Sequence, residues 1–148
     1  MPYAARILVP TDFSPLSALA LDHAVALASL CRASIHVVHV HADGSPPAAG
    51  GEPRLAALVS RCGGDGLVVT SQVCAGPPAA TIVQVAADRA VDLIVLGTHG
   101  RQGLAHLMLG SVAEQVVRTA PCPVLIVRGR VPERVQLPAE SAWGLLAG

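Results

Sequence analysis

Short apolar runs alternate along the chain with longer stretches in which apolar residues recur every three or four positions. Arg6-Ile7-Leu8-Val9-Pro10 is continuous enough for a strand buried on both faces. Ser14-Pro15 then supplies a hydroxyl N-cap followed by proline at the first helical position. Leu19, Ala20, Val25, Ala26 and Leu30 carry helical spacing to about Arg32. Ser34–Val40 reads as a second strand, and Ala42–Pro53, rich in Gly, Pro and Ala, as a loop. A short helix over about Arg54–Arg61 ends at Gly63-Gly64. Leu67–Val73 is a third strand and Pro78–Arg89 a helix with Ile82, Val83, Val85 and Ala86 on its apolar side. Val91–Gly97 is a fourth strand, followed by a long glycine-bearing loop. Ser111–Thr119 is a helix and Pro123–Val127 a fifth strand.

This β-α alternation predicts an α/β three-layer sandwich: a five-stranded, mainly parallel sheet with helices on both faces. Such sheets hold ligands outside the carboxyl ends of their strands, where strand order reverses. Residues 1–130 make one domain, and 131–148, with two prolines and Trp143, break the pattern and read as a tail.

Composition narrows the chemistry. The 148 residues carry ten basic and ten acidic side chains, for zero net charge. Nothing steers the chain to nucleic acid or an anionic membrane. Every basic residue is Arg, so a P-loop lysine, a Schiff base and a lysine general base are excluded. With one Trp, one Tyr and one Phe, the core must be aliphatic. Cys31, Cys62, Cys74 and Cys122 form no CxxC pair and read as reduced, buried thiols. No apolar run approaches the roughly 20 residues that span a bilayer. Without a signal-peptide pattern, the expected location is cytoplasmic.

Candidate chemistry gathers after the first and fourth strands. Gly97-Thr98-His99-Gly100-Arg101 leaves the fourth strand, and Gly110-Ser111 opens the next helix. Glycines allow close backbone approach, a helix start suits an anion, and Arg101 adds positive charge. Ser111 with Glu114 also matches an S-x-x-E capping box, a purely structural use. Asp12, expected at the same sheet edge, can accept from a ribose hydroxyl, hold a metal through water, or simply turn the chain. His39 and His41 share one strand face and His36 takes the other, with no cysteine or carboxylate spacing to complete a metal site. His99 can contact a ligand or brace its loop, and His106 reads as a loop residue.

Ile7–Ser14, Val91–Arg101, Gly110-Ser111 and the closing Pro121–Val127 together resemble the universal stress protein family over about residues 4–128. The resemblance implies a Rossmann-like fold of the adenine nucleotide alpha hydrolase type. In that family G-x2-G-x9-G-[S/T] marks members that bind ATP, and Gly97, Gly100, Gly110 and Ser111 keep the pattern. It implies Pro10, Thr11 and Asp12 beside adenine and ribose, with Val40 offering its backbone to the adenine edge. Leu96, Gly97, His99, Gly100, Arg101, Gly110, Ser111 and Val112 would line the ribose and phosphates, which carry Mg²⁺ or Mn²⁺. A homodimer through the last strand, Val124–Val127, is also implied. The second helix is shorter than in many members. The resulting expectation is an ATP-binding regulatory module of stress response rather than an enzyme. A slow ATPase or phosphotransferase and a non-nucleotide interaction dimer are the alternatives; the site lacks the dense charge of phosphoryl-transfer enzymes.

Overall fold

The computed structural model describes residues 5–42, 51–62, 64, 66–98 and 110–129. In chain order these form β1 (Arg6–Pro10), α1 (Pro15–Cys31), β2 (Ser34–His41), α2 (Gly51–Cys62), β3 (Val69–Ala75), α3 (Pro78–Asp88), β4 (Leu93–Gly97), α4 (Ser111–Thr119) and β5 (Val124–Val127). The strands lie in the order β3-β2-β1-β4-β5 and every pairing is parallel. The chain steps outward from β1 to β3, then returns to add β4 and β5 on the other side. Strand order therefore reverses between β1 and β4.

Continuous apolar runs form the central strands because both of their faces are covered. Ile7, Val9, Ile35, Val37 and Val95 pack with Ala20, Leu21, Ala24 and Ala28 of α1 and Leu55 of α2. On the other face Leu8, Val38, Ile94 and Leu96 pack with Ala79, Ile82, Val85 and Ala86 of α3 and Ala113 and Val116 of α4. The alanines of α1 let this helix lie close to the sheet without aromatic anchors.

Helix α1 begins as its sequence predicts: Ser14 is the N-cap, its hydroxyl accepting from Ser17 N–H at 3.2 Å, with Pro15 at the first helical position. It ends at Arg32, which takes the left-handed conformation at φ 55°. Helix α2 starts three residues before the expected Arg54, so Gly51–Pro53 belong to its first turn rather than to a loop. Pro53 is tolerated there because the first helical N–H groups have no intrahelical partner. Strand β3 runs two residues later than expected, since Leu67 N–H closes a turn on Gly64 O and Cys74 and Ala75 pair with Val40 and His41. Strand β4 starts at Leu93, two residues later than expected, and Val91 N–H returns to Ala86 O at the end of α3. The expected tail lies outside the described residues.

The four cysteines are free, but they are half-buried rather than buried. Burial, reinforced by Asp22 near Cys62 and Asp92 near Cys122, pushes those two thiols above the ordinary range. His36 and His39 take opposite faces of β2, as alternation requires. His36 Nε2–H donates to Gln72 Oε1 at 2.7 Å, which leaves Nδ1 to accept from the Thr70 hydroxyl at 2.7 Å. Burial and the nearby Arg89 lower its pKa against the opposing effect of Gln72, so His36 is a satisfied structural histidine.

Candidate functional site

At the carboxyl edge of the sheet, beside the reversal point, a cleft of about 210 Å³ opens. Its apolar part comes from Pro10, Val38, Val40, Leu96, Val112, Ala113, Pro78 and Ile82. Its polar part comes from Thr11, Asp12, Ser14, Ser17, Gly97 and Thr98. Among the described lining residues, Asp12 is the single ionisable side chain. An apolar floor with a few convergent polar groups is the usual build of a small-molecule site.

The β1–α1 loop supplies the polar rim, and its conformation follows from its own side chains. Thr11 N–H donates to Val38 O at 2.8 Å, carrying the sheet ladder one residue beyond β1. The Thr11 hydroxyl lies 3.1 Å from Ser17 Oγ and accepts from Phe13 N–H at 3.0 Å, so it is spent inside the loop. Asp12 Oδ1 accepts from Ser14 N–H at 2.9 Å, an Asx turn leading into the helix cap. Burial would raise the Asp12 pKa, but the polar groups of Ser14 and Ser17 outweigh it and hold the carboxyl below its ordinary value. Asp12 is thus ionised, exposed at the rim and anchored by one oxygen.

Gly97 has a structural reason that spacing alone does not reveal. A Cβ there would stand 2.8 Å from Leu16 O and 2.9 Å from Leu16 C. The first turn of α1 crosses the end of β4 at that point, and the absence of a side chain permits the approach.

Helix α4 corrects one expectation. Gly110, at φ −58° and ψ 158°, is the N-cap and makes no side-chain cap bond, so Ser111 is already the first helical residue. The expected Ser111–Glu114 capping box does not form, because a box joins the N-cap to the third helical residue, which is Ala113. Glu114 instead accepts from Arg118 at 2.8 Å on the exposed side. Among the described residues no side chain caps the start of α4, and Val112 and Ala113 of its first turn line the cleft.

The structure thus brings Pro10, Thr11, Asp12, Val40, Leu96, Gly97 and Val112 together around one cleft. Gly110 and Ser111 stand beside it at the start of α4. His99, Gly100 and Arg101 lie outside the described residues, as does His106. Pro78 and Ile82 were missed as site residues, although α3 also begins at the carboxyl edge and these two lie one turn apart. Ser17 was missed because it reads as an ordinary helical position. Among the described residues no group of three His, Cys, Asp or Glu side chains could hold a metal. None of the described helices is long and apolar enough to cross a membrane.

The fold and the cleft define a doubly wound α/β protein with an open cleft beside its topological switch point. A model of the universal stress protein family matches residues 4–128, and the chain belongs to that family. Universal stress protein MJ0531 of Methanocaldococcus jannaschii is 35% identical over 139 residues, spanning 83% of this chain and 81% of that protein. The solved structure of MJ0577, a universal stress protein of the same organism, superposes with a TM-score of 0.77 at 28% identity, covering 88% of this chain and 99% of that one. A universal stress protein crystallised in complex with cAMP superposes with a TM-score of 0.69 at 26% identity, covering 84% and 97%.

Proposed function

We infer that the cleft binds an adenine nucleotide, ATP in the first instance, and that the protein is a nucleotide-dependent regulatory module of stress response. The observation that carries this is the placement of two groups at one cleft: the ionised Asp12 carboxylate and the start of α4, which no described side chain caps. A carboxylate accepts from ribose hydroxyls, whereas free helix N–H groups attract phosphate. The apolar surface of Pro10, Val38, Val40 and Ile82 suits a purine face. The relative crystallised with cAMP supports an adenine ligand for this fold.

In this reading Gly97, Gly110, Ser111 and Val112 approach the ribose and phosphates, and His99, Gly100 and Arg101 join them from the glycine loop. Val40 presents its backbone to the adenine edge. Mg²⁺ or Mn²⁺ is carried by the phosphates and needs no protein cluster of its own. Two chains associate through β5, which pairs only with β4 among the described strands and exposes Leu125 by 39%. An open edge strand with an exposed leucine is a ready surface for self-association. The proposed location is the cytoplasm, where ATP and reduced thiols coexist.

Calorimetric titration of nucleotide-stripped protein with ATP and Mg²⁺ tests the reading. The expected result is saturable binding near one ATP per chain, in a particle that sediments as a dimer, with binding lost and the dimer kept in Gly110→Trp. No heat, together with no rise in melting temperature at high ATP, defeats the nucleotide reading. A monomer at all concentrations defeats the dimer.

A further inference from the structure

His39 lies on the other side of β2 from the cleft, on the face shared with Ile35 and Val37. It is only 9% exposed. Its Nδ1 stands 2.8 Å from the Thr11 carbonyl oxygen, and because a carbonyl only accepts, Nδ1 carries the hydrogen. Thr11 is therefore held to β2 twice, by its own N–H on Val38 O and by its C=O on His39.

The same imidazole also meets the residue on the far side of Asp12. The Phe13 and His39 rings are 4.6 Å apart between centroids, tilted by 41°. Phe13 has φ 63°, a left-handed conformation that a bulky side chain rarely adopts without support. Besides His39, that support comes from its N–H on Thr11 Oγ1 and from Arg54 of α2, whose guanidinium carbon sits 4.2 Å from the Phe13 ring centroid.

Among the described residues, His39 Nε2 is buried with no hydrogen-bond partner. A leucine would fill this place without burying an orphaned polar atom, so packing alone does not account for an imidazole. The Nδ1–H bond to Thr11 does.

The geometry points to His39 as a positioning residue of the cleft. By fixing the Thr11 carbonyl on one side of Asp12 and the Phe13 ring on the other, it aims the Asp12 carboxylate at a vicinal diol of the ligand. This rests on the nucleotide reading, in which the diol is that of ribose. Discrimination between ribose and a sugar without its hydroxyls is then set from behind the sheet, by a residue that does not touch the ligand.

Two variants separate positioning from bulk structure. His39→Asn puts an amide N–H close to the place of Nδ1, whereas His39→Gln puts one close to Nε2 and loses the Nδ1 donor. Affinities for adenosine and 2′,3′-dideoxyadenosine are measured by calorimetry on each, with melting scans to report folding. The wild type is expected to favour adenosine by about tenfold or more, the worth of hydrogen bonds to a charged acceptor. His39→Asn keeps that ratio and His39→Gln reduces it toward one. In ligand-free protein, the Asp12 and Phe13 amide resonances stay near wild type in Asn and move in Gln, a readout that needs no nucleotide.

A purely structural role weakens both nucleosides alike; equal ratios in the two variants therefore overturn the proposal. A wild type that binds both nucleosides equally overturns it while leaving the nucleotide reading intact. A wild type that binds neither nucleoside nor ATP overturns both.

Discussion

At the amino edge of the sheet, Asp92 Oδ2 accepts from Ala5 N–H and Arg6 N–H, each at 2.9 Å. At the carboxyl edge, Asp12 Oδ1 accepts from Ser14 N–H at 2.9 Å. Both carboxylates flank the central β1–β4 pair, and both gather backbone N–H groups. Asp92 closes the gap where β1 starts, and Arg6 reinforces it by donating to Arg89 O at 3.0 Å. Asp12 stands in a loop whose other hydrogen bonds are made by Thr11, Ser14, Ser17 and His39, and among the described residues its carboxylate is held by one oxygen only. One edge uses its aspartate to finish the fold, whereas at the other the neighbouring side chains shape the loop and leave one carboxylate oxygen of the aspartate without a described partner.

The largest effect should come from the point where the two roles meet. Gly97 lines the cleft, yet its Cβ direction is filled by the α1 backbone at Leu16 and Ser17. Backbone cannot rotate away as a side chain can, so Gly97→Ala is expected to cost about 2–3 kcal/mol. For a domain of this size that is a fall of roughly 4–12 °C in melting temperature. A variant with wild-type stability that fails to bind ATP would mean that Gly97 serves ligand approach alone, and the carboxyl edge would be looser than the amino edge.

Much of this arrangement is legible in the chain. Apolar runs of Ile, Leu and Val mark the buried strands, and Ser14-Pro15 marks the start of α1 to the residue. The convergence of Asp12 and Gly97 follows once alternation implies a parallel sheet. Other features are not local in sequence. Ser111 precedes Glu114 by the spacing of a capping box, but the box is decided by where the backbone enters the helix, one residue earlier at Gly110. Gly97 looks like a ligand glycine because the contact that requires it comes from Leu16 of α1, far away in the sequence. Asp92 reads as a strand residue, and its bonds to Ala5 and Arg6 exist only once β4 has paired with β1. His39 carries no signal at all in isolation, since its partner is a carbonyl.

The next effect in size compares the aspartates directly. Asp92→Ala strips an acceptor from two N–H groups and should cost about 2 kcal/mol in urea denaturation, with ATP affinity unchanged. Asp12→Ala should cost about 0.5–1 kcal/mol, while its affinity for a ribonucleotide falls about tenfold. Equal losses of affinity in the two variants would erase the division of labour between the edges. Equal losses of stability would erase it from the other side, making Asp12 as structural as Asp92.

The smallest effect concerns the ionisation of Asp12, and it isolates what the loop does for that carboxylate. Burial alone would raise its pKa; the groups of Ser14 and Ser17 bring it below the ordinary 3.8. A carboxyl whose folded pKa is depressed contributes stability that is complete above pH 3.8 and lost as pH falls through the folded pKa. Ser14→Gly removes the hydroxyl but leaves the N–H on Asp12 Oδ1, and as an N-cap replacement it costs only about a few tenths of a kcal/mol. An NMR titration of the Asp12 side-chain carbon should then move its midpoint upward, and acid unfolding should begin at a slightly higher pH. If the midpoint stays where it was, the single N–H bond holds Asp12 ionised unaided, and the surrounding hydroxyls serve only to shape the turn.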